Sequence, residues 1–372
     1  MKSDLKMLQR CRTITKNIEI RLALVLGLLA LLCACYPVAD TSYSNPQETG
    51  TGQWLIEFRT GETKARIDMR YERKSEKGTG FSNHGFQIDP SQLSGLTREQ
   101  AMSAGTHVQF QLVRDAGTFN FEGWFKEGNG SGHFTFSPNA SFAGQLTSQG
   151  YGSPTDDQLL SLAMSDTGFA LINELKSQGY DRPTLTQLVN TGNHGVNLEY
   201  VHGLKSYGYQ LKTVEYLIRM RDHGVSLKFI SEMAALGYKN LEPDALIRIR
   251  DHGVTPDFIN QMTAAGYAQL SVDDWVTLVD HGVNTRYITE LEGLGYSRLS
   301  LDQLRLMRDH GVSAQFIQEL KQAGYDKVAV DQLIRLRDHG VSAPYIQKMK
   351  DRGYANLSLD EYINLRDRGS RD

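Results

Sequence analysis

The stretch Ser297–Tyr325, SRLSLDQLRLMRDHGVSAQFIQELKQAGY, decides the fold. It holds two amphipathic runs, each with a start signal and a stop. Ser300 stands where an N-cap belongs and Gln303 follows three residues on, the spacing of a capping box. Asp302 puts an acid in the first turn, where the helix dipole favours it. Leu304 and Met307 share a face, and the run reaches His310 before Gly311, a residue type that ends helices in the left-handed conformation. Ser313 caps a second run, in which Phe316, Ile317 and Leu320 face one way and Val312 and Ile317 have hydrophobic-staple spacing. Gly324 ends that run, and Tyr325 is placed to fold back on Leu320 as in a Schellman motif.

This unit recurs every 29 residues without insertion. His-Gly-Val returns at His194, His223, His252, His281, His310 and His339. Gly-Tyr returns at Gly150, Gly179, Gly208, Gly237, Gly266, Gly295, Gly324 and Gly353. The capping pair reappears as Thr184/Gln187, Ser271/Asp274 and Ser358/Glu361, and the second cap as Asn197, Ser226, Thr255, Asn284 and Ser342. Helices of about ten residues span ~15 Å and are marginal alone. Neighbours must therefore stack, which is the logic of an α-solenoid.

The same columns set the ends of the array. Asn139, Phe142 and Leu146 match Ser313, Phe316 and Leu320, so the array opens on a lone second-type helix. The first full unit is degenerate, with Ser165 in place of histidine and Leu171 in place of the aromatic. Leu359 to Arg368 closes the array as a lone first-type helix, with Gly369 as its stop. Residues 139–372 are thus expected to hold a lone helix, seven two-helix units and a final lone helix. Atypical end units are what caps require.

Upstream the period changes from 3.6 to two. Trp54 to Phe58 alternates, and Ala65, Ile67, Met69 and Tyr71 alternate with Lys64, Arg66, Asp68 and Arg70. Val108/Phe110/Leu112, Phe119/Phe121 and Phe134/Phe136 continue the pattern. Thr97 and Gln100 have capping-box spacing for one short helix. Residues 53–138 read as a small antiparallel β domain of five or six strands, docked on the first array helix. The overall class is α+β. The run Gly128-Asn129-Gly130-Ser131-Gly132 lacks the Lys-Ser/Thr and following helix of a phosphate loop, so a hairpin turn is expected there. His84, His107 and His133 have no metal-ligand spacing.

The chain begins with Lys2, Lys6, Arg10, Arg12, Lys16 and Arg21 against Asp4 and Glu19, followed by the uncharged Leu22–Leu32, LALVLGLLALL. That is the form of a secretory signal, and it falls short of the ~20 apolar residues a bilayer span needs. Leu32-Cys33-Ala34-Cys35 resembles a bacterial lipobox, which implies lipidation of Cys35 after removal of the segment before it. Cys33 departs from the small or aliphatic residue usual at its place. An uncleaved N-terminal anchor and an ordinary signal with an incidental cysteine fit the same residues. Residues 1–35 are assigned to the signal, and the polar residues 36–52 to a flexible tether.

The chain has 372 residues, a formal net charge of −3 and 40% hydrophobic residues, enough for a sizeable core. Its 35 glycines are about 9% against a usual ~7%, and fifteen of them are helix stops, eight in Gly-Tyr, six in His-Gly-Val and Gly369; with only 9 prolines the chain is not a Pro/Gly low-complexity sequence. The three cysteines are Cys11, Cys33 and Cys35. A disulfide framework, a CxxC zinc site and a cysteine nucleophile are therefore excluded from the body of the protein. Once the basic leader is set aside the rest is more acidic still, which argues against nucleic-acid binding.

Gly130-Ser131-Gly132-His133-Phe134-Thr135-Phe136-Ser137-Pro138-Asn139 followed by Gly-Tyr and His-Gly-Val repeats resembles a family of bacterial envelope proteins. In that family a short β domain ending in GxGxFxFxPN precedes the helical array. Similar repeats are appended to some membrane metallopeptidases of the BlaR type, whose catalysis needs HExxH. This chain has no HExxH, so the resemblance implies a fold and an envelope setting and no peptidase activity.

The recurring polar residues invite chemical readings. Equivalent histidines on stacked repeats lie ~8–10 Å apart, too far to share a zinc ion bonded at ~2.0 Å. A histidine in the last turn of each first-type helix instead suits a terminal carbonyl or the dipole. Arg221, Arg250, Arg308, Arg337 and Arg366, beside Asp222, Asp251, Asp309, Asp338 and Asp367, read as paired charge, solvated or bridging repeats. No catalytic, metal or cofactor site is assigned. The expected function is a non-enzymatic envelope scaffold binding an unidentified protein partner. The alternative is a ligand-sensing or regulatory module whose β domain takes a small molecule or glycan.

Overall fold

Two periodicities in one chain produce a β head followed by stacked helices. The computed structural model describes residues 50–59, 61–75 and 78–369, which fall in one compact unit. The leader, Cys35 and most of the expected tether lie outside them.

The head is a single seven-stranded antiparallel sheet. Its strands are β1 (Gly50–Glu57), β2 (Ala65–Ser75), β3 (Gly78–Ile88), β4 (Leu93–Ser94), β5 (Thr106–Arg114), β6 (Gly117–Lys126) and β7 (Asn129–Pro138). The order across the sheet is β3-β2-β1-β7-β6-β5-β4, so β1 and β7 meet at its centre. The inward residues are the alternating apolar ones of the sequence: Trp54, Ile67, Met69, Phe110, Phe119, Phe121, Phe134 and Phe136 are all buried. Trp54 is the hub. Its indole lies 5.3 Å from Phe110 and 5.5 Å from Phe125, and its Nε1 donates to the carbonyls of Glu122 and His133. Gly123 leaves room for it, since a Cβ there would stand 2.7 Å from the indole. The short helix α1 (Arg98–Ala101) carries the expected reciprocal Thr97/Gln100 capping box.

Three expectations need correction here. β1 begins at Gly50, inside the stretch assigned to the tether, because Gly50, Thr51 and Gly52 pair with Phe136, Thr135 and Phe134. The glycine run is a turn only at Glu127-Gly128, both with positive φ. Gly130 and Gly132 are strand residues, and a Cβ on Gly130 would lie 2.5 Å from the Phe125 ring. Third, the sheet has seven strands and not five or six; β3 carries little period-two signal because Ser82 and His84 occupy inward positions and Gly80 and Gly85 dilute the alternation.

The array comprises nine-residue helices: α2 (Ala140–Ser148), α3 (Asp156–Met164), α4 (Phe169–Ser177), α5 (Leu185–Asn193), α6 (Leu198–Ser206), α7 (Val214–Asp222), α8 (Leu227–Ala235) and α9 (Pro243–Asp251). It continues with α10 (Pro256–Ala264), α11 (Val272–Asp280), α12 (Thr285–Gly293), α13 (Leu301–Asp309), α14 (Ala314–Gln322), α15 (Val330–Asp338), α16 (Ala343–Asp351) and α17 (Leu359–Asp367). Helices of one type stack on the same type in the next unit, as α11 on α13 and α12 on α14. The cap columns work as spaced. Ser300 accepts from the Gln303 amide, and Ser313 accepts from the Phe316 amide. Both glycine stops close by the same hydrogen bonds, Val312 N to Met307 O at 2.8 Å and Tyr325 N to Leu320 O at 2.9 Å.

Head and array share a packed junction. α3 rests on β6 and β7, and Phe142 of α2 packs on Phe169 at 4.7 Å. Asp115, in the β5–β6 turn, accepts from Asn139 Nδ2 through its carbonyl and from the Phe169 amide through its carboxylate, at 2.9 and 2.8 Å. It thereby caps α4, whose own N-cap, Gly168, supplies no side chain. Arg114 pairs with Asp166, which stands where later units carry the His-Gly glycine and has φ +54. One departure of the first unit from the repeat, Asp166, is thus a contact with the head.

Candidate functional sites

The histidine column sits at the C-caps of α5, α7, α9, α11, α13 and α15. That is the helix-end position expected of it. Each ring also has a partner on the next repeat. His194 Nδ1 meets Asp222 at 2.5 Å, His223 meets Asp251 and His310 meets Asp338 at 2.6 Å, and His252 meets Asp280 and His339 meets Asp367 at 2.8 Å. His281 pairs with Asp309 in the same way. The signal was in the sequence: each of these aspartates stands 28 residues after its histidine, one helical position short of the repeat.

The arginine column also turns to its neighbours. Arg221, Arg250, Arg308, Arg337 and Arg366 lie over Tyr200, Phe229, Tyr287, Phe316 and Tyr345 of the preceding unit, 4.9–5.1 Å from each ring centroid. Val279 interrupts the column. There Phe258 is only half-buried and meets the edge of Trp275 at 5.9 Å. The Gly-Tyr tyrosines add a third ladder. Tyr238, Tyr267, Tyr296 and Tyr325 donate their hydroxyls to Leu270, Leu299, Val328 and Leu357 carbonyls, just ahead of the next helix start. Trp275 Nε1 in turn donates to the Tyr238 hydroxyl at 2.6 Å.

The glycines at 150, 179, 208, 237, 266, 295, 324 and 353 all have positive φ. A Cβ on Gly195, Gly224, Gly282 or Gly311 would stand 3.0–3.2 Å from the guanidinium that follows. The His-Gly glycines therefore serve as helix stops and as seats for the arginines.

The head offers a different kind of surface. The sheet face opposite its aromatic core is open and carries Gln53, Asn83, Gln109, Gln111, Asn120 and Glu122, with Leu55, Phe81 and Trp124 exposed. Three depressions of about 500, 720 and 570 Å³ lie on the sheet, and His133 lines all three. The first is bounded by Gln53, Leu55, Asp68, Arg70, Asn83 and Ser131. Its neighbours bring Gln109, Gln111 and Asn120 on one side and Phe81 and Glu72 on the other. His107 Nε2 meets Glu122 at 3.1 Å and its ring packs on Trp124. His84 points to the opposite, inward face, where burial pushes its ring below the usual imidazole range. The three head histidines therefore do not converge, and among the described residues no His, Cys, Asp and Glu group is placed to hold a metal ion. No helix of the described residues is long and apolar enough to cross a membrane.

The chain matches no known family model and no curated protein.

Proposed function

We propose that the protein is a non-enzymatic scaffold of the bacterial cell envelope, exported and held at a membrane by its N-terminus, whose solenoid surface engages a protein partner. Lipid on Cys35 supplies the anchor in this reading, and an uncleaved leader is the other route. The observation that carries it is the use made of the recurring polar residues. Histidine, aspartate, arginine and tyrosine hold one repeat to the next, so side chains of chemically capable types act as mortar. What remains is the outer surface of the stacked repeats, the feature by which solenoids bind partners. Photo-crosslinking residues placed in living cells at Tyr216 on the array and Trp124 on the head test this. A discrete adduct from position 216 and none from 124 is expected. An adduct from 124 alone contradicts it.

One observation favours a second reading, a ligand-binding sensory head. The open sheet face gathers planar amides, carboxylates and exposed aromatics around His133. Amides offer donors and acceptors side by side, as arrays of sugar hydroxyls require. Calorimetry of the full chain with soluble cell-wall fragments decides this reading. Binding that is lost in His133→Ala and Gln53→Ala supports it, and no heat of binding removes it.

A further inference from the structure

The two edges of the head sheet are treated differently. At one edge β4 is two residues long and runs into Gly95, at φ +94. Short edge strands and turns of this kind block pairing with other chains. The other edge is β3, which runs eleven residues, GTGFSNHGFQI, and among the described residues pairs on one side only. Its register with β2 is unbroken from Ala65↔Ile88 to Ser75↔Gly78, so no bulge twists it away. It contains no Lys, Arg, Asp, Glu or Pro, the residues that ordinarily protect an edge.

Two of its residues are also unexplained within one chain. Phe81 is 66% exposed, although Arg70 lies over one side of its ring at 4.4 Å. Gly80 weakens a strand interior, yet a Cβ there would meet nothing within 4 Å and its φ is not positive.

We propose that β3 pairs antiparallel with the β3 of a second copy, joining two heads into one continuous sheet. The register that pairs the whole strand with itself has its two-fold axis at Asn83. Inward and outward faces then match, because paired residues have the same parity. In that register Phe81 stands opposite the partner's Gly85 on the open face. Phe86 stands opposite the partner's Gly80 on the inner face. The Phe86 ring thus covers the facing Gly80, a pairing that repairs the weakness of a strand glycine, whereas Gly85 is kept bare by Asp68 of its own chain, whose carboxylate fills the place a Cβ would take. Ser82 faces His84, and the strand has no Lys, Arg, Asp or Glu, so no like charges meet. Gly80 needs no side chain because the space belongs to the ring across the two-fold.

The test uses the full chain, whose own cysteines all lie at or before residue 35. Asn83→Cys places two thiols on the two-fold. Their Cα atoms are then about 4.5–5.5 Å apart, inside the range a disulfide spans. Gln87→Cys is the control, since residue 87 lies eight positions along from its own copy, ~26 Å away. Mild oxidation is expected to give a covalent dimer with Asn83→Cys, above the background of the parent chain and of Gln87→Cys. Equal yields at 83 and 87, or none at 83, overturn the proposal. Sedimentation of the parent and of Phe81→Lys supplies a second reading. The parent is expected at twice the chain mass. The lysine variant is expected at the chain mass, with its circular dichroism unchanged and a melting temperature that no longer depends on protein concentration. A monomeric parent, or a dimeric Phe81→Lys, overturns it equally.

Discussion

Replacing Gly311 with alanine separates two roles of one glycine. Gly311 has φ +68, and the left-handed conformation costs a non-glycine residue about 1–2 kcal/mol. The new Cβ would also stand 3.2 Å from Arg337 Nη2, closer than ordinary contact. The guanidinium must then shift from its seat 5.1 Å over Phe316, a contact worth about 0.5–1 kcal/mol. The whole substitution should cost about 1.5–3 kcal/mol. The chain carries its own control in Gly253, at φ +73 in the same column. Val279 stands where the arginine would be, and a Cβ on Gly253 meets nothing within 4 Å. Gly253→Ala should therefore cost only the backbone part, about 1–2 kcal/mol. Urea unfolding followed by far-UV circular dichroism gives the comparison, provided the m values agree. Both glycines lie in interior units, so each variant loses the same kind of neighbour interaction. The excess at Gly311 should disappear when Arg337→Ala is already present. Equal losses at the two glycines, or an excess that survives Arg337→Ala, would refute the claim that arginine and glycine columns pack together.

Three further outcomes follow from the junction and from buried titratable groups. Asp115→Ala removes the side-chain cap of α4 and should cost about 1 kcal/mol; hydrogen exchange at Phe169–Ile172 should quicken, and unchanged protection there contradicts the cap. Burial pushes Tyr180, Tyr287 and Tyr362 up to about 12 and Tyr200 higher still, above the ~10 of an unfolded tyrosine. The folded state thus holds these protons more tightly, and its stability is full below pH ~10 and falls as pH rises towards 12. A melting temperature that is flat from pH 9 to 11.5 would count against this. His84 carries the opposite sign: its depressed value means stability is present above pH ~6.5 and lost as pH falls. His84→Gln should flatten that acid limb, and an identical limb in the variant would clear His84 of the effect.

The array was legible because each column does a local job. Caps, glycine stops and the aromatic–aliphatic face are written within one unit, and repetition averages away noise. Ladder contacts were harder, since they join residues 21, 28 or 32 apart that belong to no single helix. The histidine–aspartate partners are visible only once the offset of 28 is compared with the period of 29. The head was legible where burial is one-sided, as in β6, whose alternation is perfect along Gly117–Lys126. β3 escaped because an edge strand with a half-buried histidine inward and glycines between carries little period-two signal. Asp166 escaped because its reason lies in Arg114, 52 residues upstream on another layer. The open sheet face was not legible at all, since its residues come from β1, β2, β3, β5, β6 and β7 and only strand order brings them together.

The claim that recurring polar residues join repeats is tested most directly by a double-mutant cycle on His310 and Asp338, 2.6 Å apart in neighbouring units. Both side chains are partly solvated, so a coupling of about 0.2–1 kcal/mol is expected between His310→Ala and Asp338→Ala. His310 and Asp367, one unit further on, should show none. A coupling of zero for the first pair, or equal couplings for both, would contradict the account.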